Sequence, residues 1–544
     1  MLRRRKVTSI VVPFFLLVGA FIFWQAKKWP NKYGLFLMEE VDFSRLHVNY
    51  AIRPQGERLY LTQSEMMGEW NQSDKGKCTS AKSSKMTLLN DKAVFVIGDE
   101  IRVHIDTYDY HGNKRHIGGD FFRLWMENTD LGAAVAGHVI DHNDGSYTGV
   151  IRALWEGTAS IRCFVERRKE EIAMFYDIME KKHALWVPKR EFVSNGFVES
   201  TECSIKPDNF QRYCNYTDMN YGFPWFCARP SQPELQCQDW KNSWSENKGY
   251  PPEDPRKRGI YYLSAKGNDD DLPTQIHITM IYKNTSKDLQ VSRPTIPCNR
   301  LPPEMTWKMV SPVGVFFGDA FQPTLCLDNL SLTPKTYRRC LKNKRLWLPG
   351  DSTSQQFKRS LHYTLGIPDV STGHNPQLLT DKEDNFSVSW YAHEFPFFHG
   401  SERYAPTVNR PQHLLLDSLS NNTEDIVVLY IHVHFNLVHP DVYREHIRKT
   451  VRSVKKLLLR APNVTLAVRG PHAYYRSMAQ ELVSYWGLIY SDILREEFSP
   501  FVDRVIYLDF WDLTVAVGPG HVHPSMTVVQ SMVHYMMSLL CHRN

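Results

Sequence analysis

Apolar and polar residues alternate along the first half of the chain and form longer apolar blocks in the second half. Within residues 92–165, Ile101-Arg102-Val103-His104-Ile105 has the strict period of two that is typical of a half-buried strand. Asn143-Asp144-Gly145 has the composition of a tight hairpin turn. Several short strands joined by such turns predict an antiparallel β-sandwich over residues 85–200.

The pattern changes after residue 298. Residues 426–431 form a continuous apolar run, as in a parallel strand buried on both faces, and residues 441–460 have helical periodicity. Two more strands and three more helices are predicted at 464–468, 505–508, 352–365, 478–486 and 526–540. Strands that alternate with helices of this length predict a three-layered α/β/α domain over residues 298–544.

The N-terminus indicates the compartment. Basic residues 3–6 precede an uncharged run at 7–24, which is near the lower length limit for a membrane-spanning helix. Because basic clusters stay on the cytoplasmic side, we predict a cytoplasmic tail at 1–6, an uncleaved signal anchor at 7–24 and a stem at 25–84. The alternative is a signal peptide, whose cleavage would release a secreted protein.

All ten cysteines follow the anchor, and an even number allows five disulfides in an oxidising compartment. Four of them divide residues 201–297, a predicted connector, at intervals of 10 to 13 positions. Zinc sites use closely spaced cysteine pairs, so this spacing favours disulfides. The cysteines are Cys78, Cys163, Cys203, Cys214, Cys227, Cys237, Cys298, Cys326, Cys340 and Cys541.

Seven glycosylation sequons also lie beyond the anchor, which predicts that the body is lumenal or extracellular. They begin at Asn71, Asn215, Asn284, Asn329, Asn385, Asn421 and Asn463. The composition is that of a globular protein, with 42% hydrophobic residues. The formal charge of +6 is spread along the chain and gives no indication of a nucleic-acid partner.

One turn has the composition of a nucleophile site. Residues 345–348 read as a short strand, and Gly350-Asp351-Ser352 then leads into a helix. Glycine allows unusual backbone angles and aspartate caps helices, so Ser352 would lie at the positive end of a helix dipole. A serine hydroxyl needs a base, and His523, in Val522-His523-Pro524 near the C-terminus, is the candidate.

These features resemble a known family. Gly350-Asp351-Ser352 is similar to the nucleophile turn of the PC-esterase branch of the SGNH acyl-esterases. The segment 511–516 followed by Val522-His523-Pro524 resembles the closing segment of the neurexophilin and PC-esterase domain (NXPE) family. The resemblance implies a neurexophilin-like, immunoglobulin-like domain at 85–200 and a PC-esterase-like domain at 298–544.

The resemblance also implies catalytic roles and leaves some of them open. Relatives place an aspartate three residues before the base, where this chain has Gly520. Either Asp512 or Asp509 then orients His523, or Ser352 and His523 act as a dyad.

The oxyanion donors are also implied by the resemblance. Gly350 is one candidate. The glycine that relatives have after a second strand is absent here, which leaves His434 and Asn436 as further candidates. No carboxylate or third ligand is spaced to complete a metal site around the His-x-His pairs, and no metal is predicted.

Two functions remain open. The first is acyl-ester chemistry on glycans, as an O-acetyl transferase or esterase that uses a sugar such as sialic acid. It needs no cofactor, except an acyl donor such as acetyl-CoA for a transferase. The second is an inactive cell-surface or secreted protein that binds a protein partner through its neurexophilin-like domain. Both place a type II glycoprotein in the Golgi or at the cell surface.

Overall fold

The computed structural model describes residues 46, 51–54, 56–68, 73–89, 92–246, 249–264, 270–282, 294–371, 373, 375–393, 400–401, 410–475, 477, 479 and 481–541. All of them belong to one compact unit, Asp42–Asn544. Within these ranges no helix has the length and apolar character needed to cross a bilayer. The predicted tail at 1–6 and anchor at 7–24 lie outside the described residues.

The elements alternate in type more regularly in the second half of the chain than in the first. The strands are β1 (Ala51–Ile52), β2 (Lys85–Leu88), β3 (Val94–Val96), β4 (Glu100–Asp106), β5 (Phe121–Asn128), β6 (Ala133–Asp141), β7 (Ser146–Arg152), β8 (Gly157–Arg167), β9 (Val187–Ser194), β10 (Phe197–Ser204), β11 (Tyr213–Asn215), β12 (Phe226–Ala228), β13 (Trp240–Glu246), β14 (Ile276–Ile281), β15 (Val310–Ser311), β16 (Gly314–Phe317), β17 (Ala320–Pro323), β18 (Arg345–Trp347), β19 (Gln377–Asp381), β20 (Phe386–Trp390), β21 (Gly400–Ser401), β22 (Ile426–Leu429), β23 (Thr465–Arg469) and β24 (Val505–Leu508). The α-helices are α1 (Gln63–Met67), α2 (Lys169–Lys182), α3 (Pro255–Tyr261), α4 (Pro303–Thr306), α5 (Pro334–Leu341), α6 (Ser352–Leu365), α7 (Gln412–Ser418), α8 (Pro440–Arg460), α9 (Trp486–Phe498), α10 (Trp511–Ala516) and α11 (Met526–Leu540).

The first large sheet has the order β2-β4-β7-β6-β5-β8-β14-β3, with β16 and β17 joined to β6. We call it the folded sheet, because the first half of β6 pairs with β5 and its second half with β7. Alternate residues of both halves enter one core, including Ile101 and Val103 from β4 and Leu124 and Met126 from β5. The strands β14, β16 and β17 come from far along the chain and complete this layer.

The second large sheet has the order β19-β20-β18-β22-β23-β24 and is parallel except for β19. Ile426 and Val428 of β22 face a core shared with α6 and α11. Val427 and Leu429 face the other side, where α8 and α9 pack. The apolar run at 426–431 is therefore buried on both faces, and the predicted three-layered α/β/α arrangement is present.

A smaller sheet joins segments from the middle of the chain. Its order is β11-β12-β10-β9-β13-β21, and β1 pairs separately with β15. Two disulfides, Cys203–Cys227 and Cys214–Cys237, cross it, in agreement with the interpretation that these cysteines do not bind zinc.

Two details of the α/β/α domain differ from the sequence prediction. The helix predicted at 478–486 is wrong, because residues 481–485 lie in turns and irregular backbone and α9 begins only at Trp486. Leu482, Val483, Tyr485 and Trp486 are all buried, so their spacing reflects burial on all sides and not one helical face. The antiparallel strand pair β19–β20 was not predicted from the sequence.

Part of the predicted stem is folded onto the body. Thr62 caps α1 and forms a reciprocal capping box with Glu65, a pattern that fixes helix starts. Leu61 and Met66 are fully buried in a core that they share with Ile172 and Phe175 of α2. Burial of these two side chains explains why the described residues 56–68 follow the surface of the body.

Four of the five allowed disulfides form, the other two bridges being Cys298–Cys326 and Cys340–Cys541. Cys78 and Cys163 are free and buried, and burial raises the pKa of both thiols. They cannot pair because Cys163 packs in the core of the folded sheet and Cys78 packs in the core around α2.

Five sequon asparagines lie in the described part of the chain, and all five are exposed. They are Asn215, Asn329, Asn385, Asn421 and Asn463. Each is therefore accessible to a glycosyltransferase in the folded protein. Asn71 and Asn284 lie outside the described residues.

Removing the Cys340–Cys541 bridge should destabilise the protein more than removing Cys214–Cys237. The first closes a separation of 201 residues and the second one of 23. From loop-closure entropy we expect losses of about 5 and about 3 kcal/mol for the paired Cys→Ala variants. Thermal unfolding of the two variants measures this difference, and an equal loss would contradict the entropic explanation.

Candidate active site

Ser352 occupies the first position of α6, immediately after the turn that follows β18. Asp351 is the N-cap, and its Oδ1 accepts hydrogen bonds from the Thr353 N–H at 2.8 Å and the Thr353 hydroxyl at 2.7 Å. The Asp351 cap starts the helix, and the helix start fixes Ser352 at the positive end of its dipole. The predicted helix start at the serine is confirmed.

Gly350 has a different role from the predicted one. Its φ is not in the left-handed region; instead, a Cβ at this position would overlap the Ser354 side chain. Its N–H donates a hydrogen bond to the Tyr391 carbonyl at 3.1 Å. The prediction of Gly350 as an oxyanion donor is therefore wrong, since a sheet-type bond already uses that N–H.

The structure brings Ser352 and His523 together. The Oγ of Ser352 lies 2.6 Å from Nε2 of His523, although 171 positions separate the two residues in the chain. Both side chains are half-buried. They lie beyond the carboxyl ends of parallel strands, the usual place for ligand sites in such sheets. An imidazole at this distance can take the hydroxyl proton, which is the requirement for a serine nucleophile.

The backbone around His523 is held on both sides. Nε2 of His472 lies 2.9 Å from the Val522 carbonyl, and the Gln356 amide donates to the Pro524 carbonyl at 3.0 Å. The His523 N–H donates to Nδ1 of His521 at 3.1 Å. His472 and Gln356 were not predicted, because no local pattern marks a side chain that reaches a distant carbonyl.

Asp512 and Asp509 have partners other than the imidazole. Oδ2 of Asp512 accepts a hydrogen bond from the Val313 N–H at 2.9 Å. Asp509 accepts one from the Trp511 N–H and pairs with Arg495 at 3.6 Å. The contact that the structure gives Asp512 is with Val313 and not with His523, so the predicted role of Asp512 in orienting the imidazole is corrected.

Asp512 instead lies between the two large domains. It borders a cavity of about 40 Å³ together with Arg53, Arg123 and His138. Burial, reinforced by the negative charge of Asp509 and opposed by Arg53, raises the pKa of Asp512 to about 6. Its ionisation is therefore coupled to the packing of this interface.

Of the two other predicted oxyanion donors, Asn436 is engaged elsewhere. The Asn436 amide donates to the Tyr474 hydroxyl at 2.6 Å and to the Val483 carbonyl at 3.0 Å. Both amide hydrogens are used, so the prediction for Asn436 is wrong. His434 lies in the 3₁₀ turn Val433–Leu437, with its ring 4.6 Å from that of His393.

The Ser352 N–H is the donor that the geometry leaves for an oxyanion. It stands at the first position of α6, where helical N–H groups have no partner within the helix. It makes no hydrogen bond to any residue in the described ranges. A negative charge that develops on an acyl oxygen beside Ser352 would meet this N–H and the helix dipole.

Asp351 carries a buried negative charge directly under the nucleophile. Burial would raise the pKa of Asp351, but electrostatic attraction to His434, His393 and Arg469 outweighs it and holds that pKa well below its usual range. The Arg469 guanidinium lies 3.9 Å from the ring centre of Tyr430 and 4.1 Å from that of Phe357. The ionised carboxylate can therefore keep its cap on α6 at neutral pH.

A buried chain of hydrogen bonds connects Tyr430, directly after β22, to the loop that carries His523. The Tyr430 hydroxyl lies 2.9 Å from Nδ1 of both His432 and His472. Because the Val522 carbonyl can only accept, His472 must carry its proton on Nε2 and accept from Tyr430 on Nδ1. The Tyr430 oxygen then accepts from Nδ1 of His432. Burial lowers the pKa of His472 to about 3, which keeps its ring neutral.

No group of three or more metal-ligating side chains occurs within the described ranges. His432 of the His-x-His pair is fully buried against Tyr430. His521 and His523 of the second pair stack at 5.7 Å. These contacts use the imidazoles for hydrogen bonding and packing.

Asp512→Asn should remove a pH-dependent loss of stability. A raised folded-state pKa means that the stabilisation is present below the unfolded pKa of about 3.8 and is lost as pH rises through about 6. From about pH 4 to about pH 7.5 the wild type should lose about 2 kcal/mol relative to the variant. Unfolding midpoints across this pH range measure the effect. Parallel pH curves would contradict it.

Gly350→Ala should displace the nucleophile turn, because the new methyl group meets Ser354. We expect a destabilisation of about 1–3 kcal/mol and a slower reaction of Ser352 with a fluorophosphonate probe. Adding Ser354→Gly removes the clash, so the double variant should recover the labelling rate. Failure of the second substitution to restore labelling would mean that the clash is not the cause.

Comparisons with known proteins assign both halves of the chain. A family model described as "NXPE family member 4-like, C-terminal domain" matches residues 321–541, and one described as "Neurexophilin" matches residues 62–242. Among solved structures, the chain is similar to an active site mutant of a family two carbohydrate esterase from Clostridium thermocellum in complex with celluohexase, at 10% identity over 70% of this chain and 90% of that chain, with a TM-score of 0.22. It is also similar to a family two carbohydrate esterase from Cellvibrio japonicus, at 9% identity over 84% and 98%, with a TM-score of 0.20. TM-scores this low do not establish a shared fold with either structure. The two family models show that this chain belongs to the neurexophilin and PC-esterase domain (NXPE) family.

Proposed function

We propose that the protein is a serine acyl-ester enzyme that acts on glycans. The observation that carries the proposal is the 2.6 Å contact between Ser352 Oγ and His523 Nε2. A serine at a helix N-terminus, with an imidazole in contact with its hydroxyl, has both the base and the electrostatic environment that acyl transfer requires. The membership of the NXPE family supports the same chemistry, because the family resembles carbohydrate O-acetyl esterases and transferases.

The first half-reaction forms an acyl-enzyme. Ser352 Oγ attacks the carbonyl carbon of the acyl ester while His523 Nε2 takes the hydroxyl proton. The negative charge on the carbonyl oxygen is stabilised by the Ser352 N–H. The ester C–O bond then breaks, and the imidazolium returns the proton to the departing oxygen.

The second half-reaction releases the acyl group. Water or a sugar hydroxyl attacks the acyl carbon, and His523 takes its proton. Ser352 Oγ then leaves and recovers that proton. Water as acceptor makes the protein an esterase, and a sugar hydroxyl such as one of sialic acid makes it an O-acetyl transferase. The transferase would use an acyl donor such as acetyl-CoA, for which the bond that breaks in the first half-reaction is the thioester C–S bond and the departing sulfur receives the proton.

We place this activity in the lumen of the secretory pathway. The five exposed sequons and the four disulfides support an oxidising, glycosylating compartment. With the basic cluster at 3–6 on the cytoplasmic side, the protein is a type II glycoprotein of the Golgi or cell surface, and its substrate is a glycan or glycoprotein.

The alternative function is that of an inactive binding protein with a cell-surface protein partner. One observation favours it: the N–H of Gly350 and the amide of Asn436, which the resemblance assigns to the oxyanion, both donate to other groups. An oxyanion site with a single donor stabilises the tetrahedral intermediate less than a site with two or three donors. Reactivity of Ser352 distinguishes the two functions.

A fluorophosphonate probe on the full-length glycoprotein tests the proposal. Ser352→Ala should abolish labelling, and His523→Ala should slow it about a hundredfold or more, since a general base contributes at least this much. Ser360→Ala is the matched control, because Ser360 is a buried serine of the same helix. Labelling that survives Ser352→Ala, or wild-type protein that never reacts, would leave only the binding function.

A further inference from the structure

We propose that the neurexophilin-like half of the chain is a working part of the active site, because it positions the loop that carries His523. The inference rests on the proposed function and extends it to four positioning residues. Trp125 and Arg123 lie on the folded sheet, Asp270 belongs to the connector and is bonded through its carbonyl to the Val165 N–H of β8, and Tyr475 lies in the α/β/α domain. The segment 472–475, which we call the strap, transmits the support. The strap contacts the His523 loop on one side and the folded sheet on the other.

The strap holds the His523 loop by two hydrogen bonds. The Tyr475 N–H donates to the Gly520 carbonyl at 2.8 Å. His472 Nε2 donates to the Val522 carbonyl at 2.9 Å. These carbonyls stand three residues and one residue before His523, so the strap sets the course of the backbone directly before the base. The Ala473 N–H also donates to the Thr514 hydroxyl at 2.8 Å.

The folded sheet holds the strap in turn by buried polar contacts. Arg123, on β5, donates a hydrogen bond from Nη2 to the Tyr474 carbonyl. The Tyr475 hydroxyl donates to the Asp270 carboxylate. Asp270 is itself fixed by a 2.5 Å ion pair with Arg168, whose side chain is fully buried. A buried carboxylate with a charged partner has little freedom to follow a moving hydroxyl.

Aromatic packing gives the same support without hydrogen bonds. The Tyr475 ring packs edge-to-face on Phe164 of β8 with 5.1 Å between ring centres, and Phe164 packs on Trp125 of β5 at 5.9 Å. A Cβ built on Gly518, in the His523 loop, would lie 3.6 Å from the Trp125 indole, which is an ordinary van der Waals distance. The loop therefore passes beside the folded sheet as well as being joined to it through the strap.

This arrangement matters because the proton transfer depends on a 2.6 Å contact. A displacement of the imidazole by about 1 Å can cost two orders of magnitude in rate. The strap bonds the loop at the carbonyls of Gly520 and Val522, directly before the base. The course of the loop backbone, which the strap sets, therefore contributes to where the base stands.

Tyr475→Phe tests the inference in the full-length chain. It removes the hydroxyl that meets Asp270 and keeps the ring on Phe164. We expect labelling of Ser352 by a fluorophosphonate to slow about tenfold. Without a placed imidazole, the rate should rise with hydroxide concentration and lose the plateau that a base-assisted serine shows. Trp125→Phe, which keeps an aromatic ring against Phe164, should slow labelling in the same direction.

Tyr60→Phe is the matched control. Its hydroxyl donates to Asp492 at 2.6 Å, a tyrosine–carboxylate contact between the N-terminal part and α9 in which neither partner belongs to the strap or the His523 loop. The control should lose as much thermal stability as Tyr475→Phe and keep the wild-type labelling rate and pH profile. Equal labelling rates and pH profiles in the wild type, Tyr475→Phe and Tyr60→Phe would overturn the inference.

Amide hydrogen exchange of residues 517–523 separates this inference from the proposed function. Faster exchange of these residues in Tyr475→Phe, but not in Tyr60→Phe, is expected whether or not Ser352 reacts. Unchanged exchange would overturn the support role even if wild-type protein is labelled. Wild-type protein that is never labelled would contradict the proposed enzyme, and the exchange result would still decide whether the folded sheet supports this loop.

Discussion

The hydrogen bond between Ser352 and His523 is the constraint on which the site depends. Its two partners belong to no common element: one begins α6, and the other lies in a loop between α10 and α11. Its 2.6 Å length must therefore be set by contacts around each partner. Asp351 and the close packing of Gly350 on Ser354 fix the serine, and Gln356 and His472 fix the backbone on either side of the histidine.

The polar groups under this bond are arranged so that their charges balance. Asp351 and Arg469 are both nearly inaccessible to water, and burying either charge alone would cost several kcal/mol. Arg469 lies between the rings of Tyr430 and Phe357, which attract a cation through their faces. The neutral His472 can then pass a hydrogen bond from Tyr430 to the Val522 carbonyl without adding a second charge.

The sequence predicted the parts of the site that local patterns control. A strand, a turn with a capping residue and a helix start are encoded within residues 345–355, so Ser352 and its helix were correctly placed. The layers of the α/β/α domain followed from apolar runs such as 426–431. The identity of His523 came from its place in the closing segment, and the structure puts it at the serine hydroxyl.

The errors concern side chains whose partners are distant in sequence. Asn436 was a plausible donor until Tyr474 and Val483 were found to use its amide, and Asp512 was a plausible orienter until Val313 was found beside it. Such pairings follow from tertiary packing and cannot be deduced from the spacing of residues along the chain. The same packing explains the segment 56–68, where the burial of Leu61 and Met66 overrides a polar composition.

Ile172 of α2, Trp225 of the small sheet and Trp486 of α9 share one core, so the two family-defining halves are not independent bodies joined by a linker. The folded sheet and the α6 side of the second large sheet each have a core of their own. The helix that follows β8 and the helix that follows the strap nevertheless bury side chains in one shared core, and this shared core is a structural reason to expect that a change in the neurexophilin-like half reaches the base.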